Sequence, residues 1–358
     1  MPTITSAVIK DFARRTKFIN NQNTTLPICS SIILDYTGQN LKIYKTDTNK
    51  SAILTVEKSL QIAGDGRYLV EEKELLDFAD ARGPVITITE TRTKAEVKSP
   101  GDRAEYTNIE LKCGKATRKF QTDDIALFPA IPQQEGEVYE FGAEVTDAVK
   151  IAATFTGKDD LRLWQQHVIF QGRGVFATDN HKVYRCNIAD DLPEMYLPLP
   201  IVQALPPGGI ASLSQSENML FLECGDLLVS VLKQQVGRVT DLAPFMMDGK
   251  EPLCTITLPK EAILPIISMA EKSGDPTQSI TIEATEGGVR CFAEFGNLLD
   301  EDIIECAVTG AMAPIKLNAA YFRQLLYPFA GDIVLQNHAH LVRIEQDGQT
   351  GVLMKLVN

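Results

Sequence analysis

The sequence predicts an α+β fold assembled from one small unit, a helix plus an antiparallel sheet, repeated along the chain. Two kinds of stretch suggest it. Apolar residues alternate with period two in many short runs bounded by turn residues, which is the pattern of half-buried strands. Between those runs stand segments spaced i, i+3, i+4, the pattern of a helix with one apolar face. A third observation points to repetition. "GQNLKIYKTDTNKSAI" (38–53) and "GRGVFATDNHKVYR" (172–185) share a beat of glycine, strand, Thr-Asp, polar pair and second strand.

Taken in order, helices are expected at 7–19, 68–79, 143–155, 196–205, 259–272 and 315–326, with sheet patterns after them. Val145, Ala148, Val149 and Ala152 make one apolar stripe on the third helix. Pro-, Gly- and acid-rich boundaries fall at "FPAIPQQEGE" (128–137) and "MMDGKEP" (246–252). The expected organisation is therefore three similar domains, 1–132, 133–248 and 249–358, each holding two copies of the unit.

Composition narrows the class. With 44% hydrophobic and 23% charged residues the 358-residue chain can bury a core, so disorder is not expected. No apolar run reaches the roughly 18 residues of a membrane span, and the first residues lack a secretory apolar stretch. A cytoplasmic protein without membrane contact is expected. Cys29, Cys113, Cys186, Cys224, Cys254, Cys291 and Cys306 are odd in number and scattered, which reads as free thiols.

Net charge is −12, which argues against a uniformly basic surface. The bases are uneven, however: residues 1–132 hold 19 Lys and Arg against 17 Asp and Glu, whereas 133–248 hold 8 against 16 and 249–358 hold 8 against 14. On the first helix Lys10, Arg14 and Lys17 share a stripe, with Val8 and Phe12 opposite. Such a stripe is either a solvated face or a row of phosphate contacts, each adding salt-dependent, sequence-blind attraction. Lys150, Lys158, Lys272 and Arg323 stand on or just after later helices in corresponding places.

No catalytic constellation emerges. "GDG" (64–66) and "GRG" (172–174) fit turns better than a nucleotide cradle. His338 and His340 alternate along an expected strand and read as a solvent-facing pair rather than metal ligands. His181 stands beside Asp179 without an evident nucleophile. Asp300, Glu301 and Asp302 could assist a metal-dependent hydrolysis, and fit a solvated loop better. Neither a cofactor nor a metal is expected.

Several stretches resemble the bacterial DNA sliding clamp, the beta subunit of replicative DNA polymerase. These are "TTLPICSSIILDYTGQNLKIYKTD" (24–47), "DDLRLWQQHVIFQGRGVFATDNHKVYR" (159–185), the Phe-Pro step in "FPAIP" (128–132), and "EDIIECAVTGAMAPIKLNAAYFRQLL" (301–326) with its Asn318 and Tyr321. The resemblance runs in order over nearly the whole chain. It implies three clamp domains per chain and a head-to-tail homodimeric ring, with helices lining the hole and sheets outside. Double-stranded DNA would pass through, meeting Lys10, Arg14, Lys17, Lys150, Lys158, Lys272, Arg323 and Trp164, although Trp164 reads equally as a core residue. Partners implied are the DNA polymerase, other clamp-binding proteins and an ATP-dependent clamp loader. Their tails would enter an apolar groove formed by Thr178, His181, Lys182, Val183, Val352, Met354 and Leu356. The chain departs from the family at Asn180, in place of a glycine, at Gln165, in place of an apolar residue, and at its "LMKLVN" end. The segment 97–121 is longer than the family's first-domain end. A clamp is not an enzyme; the implied role is a processivity factor.

Overall fold

The structure, a computed structural model, describes residues 1–20, 25–57, 62–94, 105–158, 162–205, 208–234, 236, 239, 241–272, 277–295 and 298–356. The chain divides into two compact units, one of Met1–Thr146 with Ala204–Gln234, the other of Asp147–Gln203 with Gln235–Asn358.

The first unit holds two antiparallel sheets. The larger orders the strands Gly64–Glu71, Ser31–Gly38, Asn40–Thr46, Lys50–Val56, Leu227–Leu232, Met219–Cys224, Ser212–Gln215 and Val138–Glu140. The smaller orders Thr3–Thr5, Val85–Lys94, Glu105–Cys113 and Ala116–Thr122, leaving the last as an edge. Helices α1 (Ser6–Arg15) and α2 (Glu72–Arg82) pack against each other. Ile9 and Phe12 form the buried stripe of α1, while Val8 is half-buried. The helix starts where the Thr5 hydroxyl accepts from Val8 N, and it ends at Arg15. Lys17 therefore lies beyond it. The expected helix at 68–79 begins only at Glu72, because the strand runs on to Glu71; Gly83, at φ 137°, stops it.

The second unit also holds two sheets. One orders His167–Thr178, Lys182–Pro198, Gln349–Met354, Leu341–Gln346, Asp332–Asn337, Cys254–Pro259 and Ala307–Gly310; the other orders Leu298–Glu305, Gly288–Phe295, Ser279–Thr285 and Ile315–Asn318. Helix α3 (Ala143–Ala153) carries the boundary between the units and buries its expected stripe of Val145, Ala148, Val149 and Ala152. Helix α4 (Leu199–Gln203) is one short turn, because Tyr196–Pro198 belong to the preceding strand. Helices α5 (Lys260–Lys272) and α6 (Ala319–Leu326) pack together. Asn318 ends a strand and caps α6, its side-chain oxygen accepting from Tyr321 N at 3.0 Å.

The two Thr-Asp hairpins are the same turn built twice. Thr46 Oγ1 donates to Lys50 O at 3.0 Å and Thr178 Oγ1 to Lys182 O at 2.7 Å. The Asp47 carboxylate accepts from the backbone N–H of Asn49 and Lys50, as that of Asp179 does from His181 and Lys182. Thr48 and Asn180 hold the left-handed corner at φ 76° and 78°. Short polar side chains at fixed offsets satisfy the turn's backbone groups, so the dipeptide recurs.

Three local expectations are corrected. Gly64–Gly66 and Gly172–Gly174 lie in strands; Gly172, at φ 56°, sits where the pairing of His167–Thr178 with Lys182–Pro198 slips register. His338 and His340 stand in a turn after Asn337, and His338 is buried at 3% exposure, because the strand ends before them. Asp300, Glu301 and Asp302 belong to the edge strand Leu298–Glu305 and not to a loop; Gly288–Phe295 pairs along it. The lengthened segment 97–121 falls in part on 95–104, outside the described residues.

Candidate functional site

The expected phosphate contacts fall into three groups. Lys10 and Arg14 are exposed on α1, and their charges already meet Asp80 at 2.7 Å and Asp11 at 2.6 Å. Exposed pairs of this kind contribute at most about 1 kcal/mol, so a polyanion can draw the cations away. Lys17, Lys150, Lys158 and Lys272 are exposed just after α1, late in α3, beyond α3 and at the end of α5. Arg323 is different: its guanidinium bonds the Glu271 carboxylate at 2.8 Å, tying α6 to α5. Each of these cations belongs to a helix or to the five residues that follow one.

Trp164 does not stand with them. Only 6% exposed, it packs with Val183, Leu242, Met246 and Val352, because an indole gains more from apolar burial than from water. That cluster underlies a small apolar pocket of about 60 Å³ lined by Trp164, Thr178, Asn180, His181, Val183, Leu242, Phe245, Val352 and Met354. The floor is paired backbone: Val183 lies opposite Val352 across neighbouring strands, so both side chains rise on the same face. Met354 N donates to His181 O at 2.8 Å, which fixes the rim methionine against the turn. Met354 and Phe245 remain 36% and 39% exposed, apolar surface left uncovered at the mouth.

Of the seven expected groove residues, Thr178, His181, Val183, Val352 and Met354 come together. Lys182 does not join them. It is 2% exposed, and its ammonium turns inward to Thr154 O at 2.9 Å and Asp179 at 3.2 Å, over the Phe155 ring at 5.0 Å. Burial pushes its pKa down, while Asp179 opposes that shift. Leu356 is half-buried with its N–H on Lys316 O, away from the pocket lining. His181 stacks on Tyr321, ring centroids 5.2 Å apart, and both line a second, polar cavity of about 560 Å³ with Lys158, Gln165 and Lys182. Gln165 and Asn180, the two departures from the family pattern, hydrogen-bond to each other.

No protein-family model matches the chain, and no curated protein matches it. Solved structures do. The DNA polymerase III subunit beta of Pseudomonas aeruginosa superimposes with a TM-score of 0.81 at 15% identity, covering 100% of both chains. The sliding clamp of Bacillus subtilis gives 0.80 at 12% identity, covering 100% of this chain and 99% of its own. The beta sliding clamp of C. crescentus gives 0.80 at 14%, with the same coverage. The fold is that of the bacterial DNA sliding clamp.

Within the clamp fold the first unit contains a second copy of the groove's framework, and there the corresponding phenylalanine, Phe128, is buried. Leu232 N donates to Asn49 O at 2.7 Å, as Met354 N does to His181 O. Where Val183 faces Val352, Ser51 faces Ser230, and Ser51 Oγ is hydrogen-bonded to Thr46 Oγ1. Leu242 and Phe245 were missed from sequence, although a signal exists. "DLAPF" (241–245) repeats "DIALF" (124–128), each opening a tight helical turn whose Asp accepts from the N–H of the Ala. Phe128 is 8% exposed and packs into the apolar cluster beneath it, whereas Phe245 stands at the open mouth. Among the described residues no three His, Cys, Asp or Glu side chains gather as metal ligands, and no helix is long and apolar enough to cross a membrane.

Proposed function

We propose that this chain is a sliding clamp, a non-catalytic processivity factor that encircles duplex DNA and tethers the replicative polymerase and other proteins through its groove. The single observation that carries the reading is the end-to-end likeness to solved clamps, which covers 100% of this chain and of the Pseudomonas aeruginosa subunit. The three clamp domains are taken as 1–132, 133–248 and 249–358, with breaks in the irregular stretches around Phe128–Gly136 and Asp248–Pro252.

Ring closure needs two complementary ends. Ala116–Thr122 is a sheet edge carrying Arg118 and Lys119. Leu298–Glu305 is a sheet edge carrying Asp300, Glu301, Asp302 and Glu305, with Leu299 and Ile303 exposed at 47% and 64%. Pairing one copy's basic edge with the other's acidic edge would satisfy both rows of backbone groups, would add attraction to cations that Glu74 and Glu110 already hold within the chain, and would close after two copies. The cations Lys10, Arg14, Lys17, Lys150, Lys158, Lys272 and Arg323 would then hold duplex DNA by diffuse phosphate attraction, without reading bases, so the ring can slide. The apolar pocket at Trp164, Val183, Val352 and Met354 would take an apolar side chain from a partner's tail. A clamp of Pseudomonas aeruginosa is bound to griselimycin, which supports a ligand-holding role for this fold. An ATP-dependent loader would open the ring, and the work would take place in the cytoplasm.

The test is topological. The purified protein is loaded onto nicked circular plasmid, and one half of the sample is then linearised. A dimer in sedimentation that stays on circles and slips off linear DNA supports the proposal. A monomer, or equal retention on both forms, refutes encirclement.

A further inference from the structure

We infer that Asp248 is an ionic latch that positions the wall of the groove, a role that rests on the groove proposed above. The wall is the turn Ala243–Met246 with its leading residue Leu242, which together place Leu242 and Phe245 against the pocket. Met247 takes the left-handed conformation at φ 58°, reversing the chain so that Asp248 meets the sheet. There its carboxylate accepts from Arg185 Nη1 at 2.5 Å, from Arg185 Nη2 at 3.0 Å and from Arg343 Nη2 at 3.2 Å.

The two arginines arise from the groove floor. Arg185 lies two residues beyond Val183 on one strand, hence on the same face. Arg343 lies directly opposite Val352 on the neighbouring strand, again on that face. Their side chains are only 15% and 7% exposed, and Arg343 is held further by Gln336 and Glu345. Fixed cations on the floor thus meet a half-exposed carboxylate at the end of the wall. The bidentate contact from Arg185 sets its direction as well as its distance.

The second copy of the framework, in the first unit, supports the assignment. After "DIALF" the chain continues Pro129-Ala130-Ile131, so an isoleucine stands where "DLAPF" is followed by Asp248. Ile131 packs onto the apolar cluster that holds Phe128. An apolar attachment goes with the copy whose phenylalanine is buried, and an ionic one with the copy whose phenylalanine is exposed. The latch holds the wall without filling the space beneath it.

The experiment uses the full chain and its single tryptophan, Trp164, as the fluorescence reporter of binding. The probe is a short synthetic peptide with adjacent leucine and phenylalanine in a Ser/Gly background. Asp248→Asn is expected to weaken the peptide at least about tenfold, the size of one charge-assisted hydrogen bond. Amide exchange should rise at 242–247 in that variant and stay constant at 167–178, and Asp248→Glu should restore a large part of both. Affinity kept within about twofold in Asp248→Asn would overturn the latch, as would unchanged exchange at 242–247. A wild-type protein that leaves the peptide unbound would instead overturn the groove, while the exchange result still decides whether Asp248 holds the wall.

Discussion

Met354→Asp is the most direct probe of the groove. Met354 lies at the end of a strand, its N–H bonded to His181 O, and its side chain is 36% exposed at the pocket mouth. A tail that occupies the pocket covers that remaining third. With roughly 1.5–3 kcal/mol for fully burying a methionine, the covered part contributes about 0.5–1 kcal/mol. A carboxylate in its place must be dehydrated among Trp164, Leu242 and Val352, which adds about 1.5–3 kcal/mol. The loss totals about 2–4 kcal/mol, or roughly 30- to 700-fold in affinity. The backbone contact and the exposed position leave folding within about 0.5 kcal/mol of wild type. Titration with a polymerase-tail peptide, followed by Trp164 fluorescence, reads the affinity; sedimentation checks the dimer. Binding unchanged within about threefold would refute the placement of the groove.

Replacing Lys10, Arg14 and Lys17 together by alanine should flatten the plot of log affinity for DNA against log salt by up to about three units, at unaltered thermal stability; an unchanged slope removes these residues from the phosphate face. Arg118→Glu with Lys119→Glu should turn dimers into monomers in sedimentation. Mixing that variant with Asp300→Lys, Asp302→Lys chains should restore dimers, and persistence of the dimer in the first variant alone would contradict the edge pairing. His338 is buried, and that burial, with Arg343, Lys355 and Lys250, lowers its pKa below 6.5. The unfolded chain therefore takes up this proton first as pH falls, and stability must drop between the ordinary and the native value. His338→Gln should have a shallower fall in melting temperature below about pH 6.5, and an identical slope would exclude His338 as its source.

Local chemistry made much of the fold legible. The i, i+3, i+4 spacing of Val145, Ala148, Val149 and Ala152 marks α3 because a helix must put those side chains on one face. Thr46-Asp47 and Thr178-Asp179 announce their hairpins because each side chain bonds the backbone of its own turn. Element ends were harder to read. Tyr196–Pro198 and Ile315–Leu317 have residues that suit either structure, and pairing with a neighbouring strand decided for extension.

The site divided along the same line. Thr178, His181 and Val183, which flank the turn, were named through the resemblance to the sliding clamp, and the hairpin carries them to the pocket. The fates of Trp164, Lys182 and Leu242 depended on what distant segments brought beside them. Apolar neighbours drew in the indole, Thr154 O drew the ammonium inward, and the sheet carrying Arg185 and Arg343 anchored the wall. By itself the sequence determined the repeated unit and the turns, both set by bonds and periodicities among near neighbours. Only the tertiary structure decided in which copy of the framework the phenylalanine is exposed and which charges are buried or paired, because burial and pairing depend largely on contacts between residues far apart in the chain.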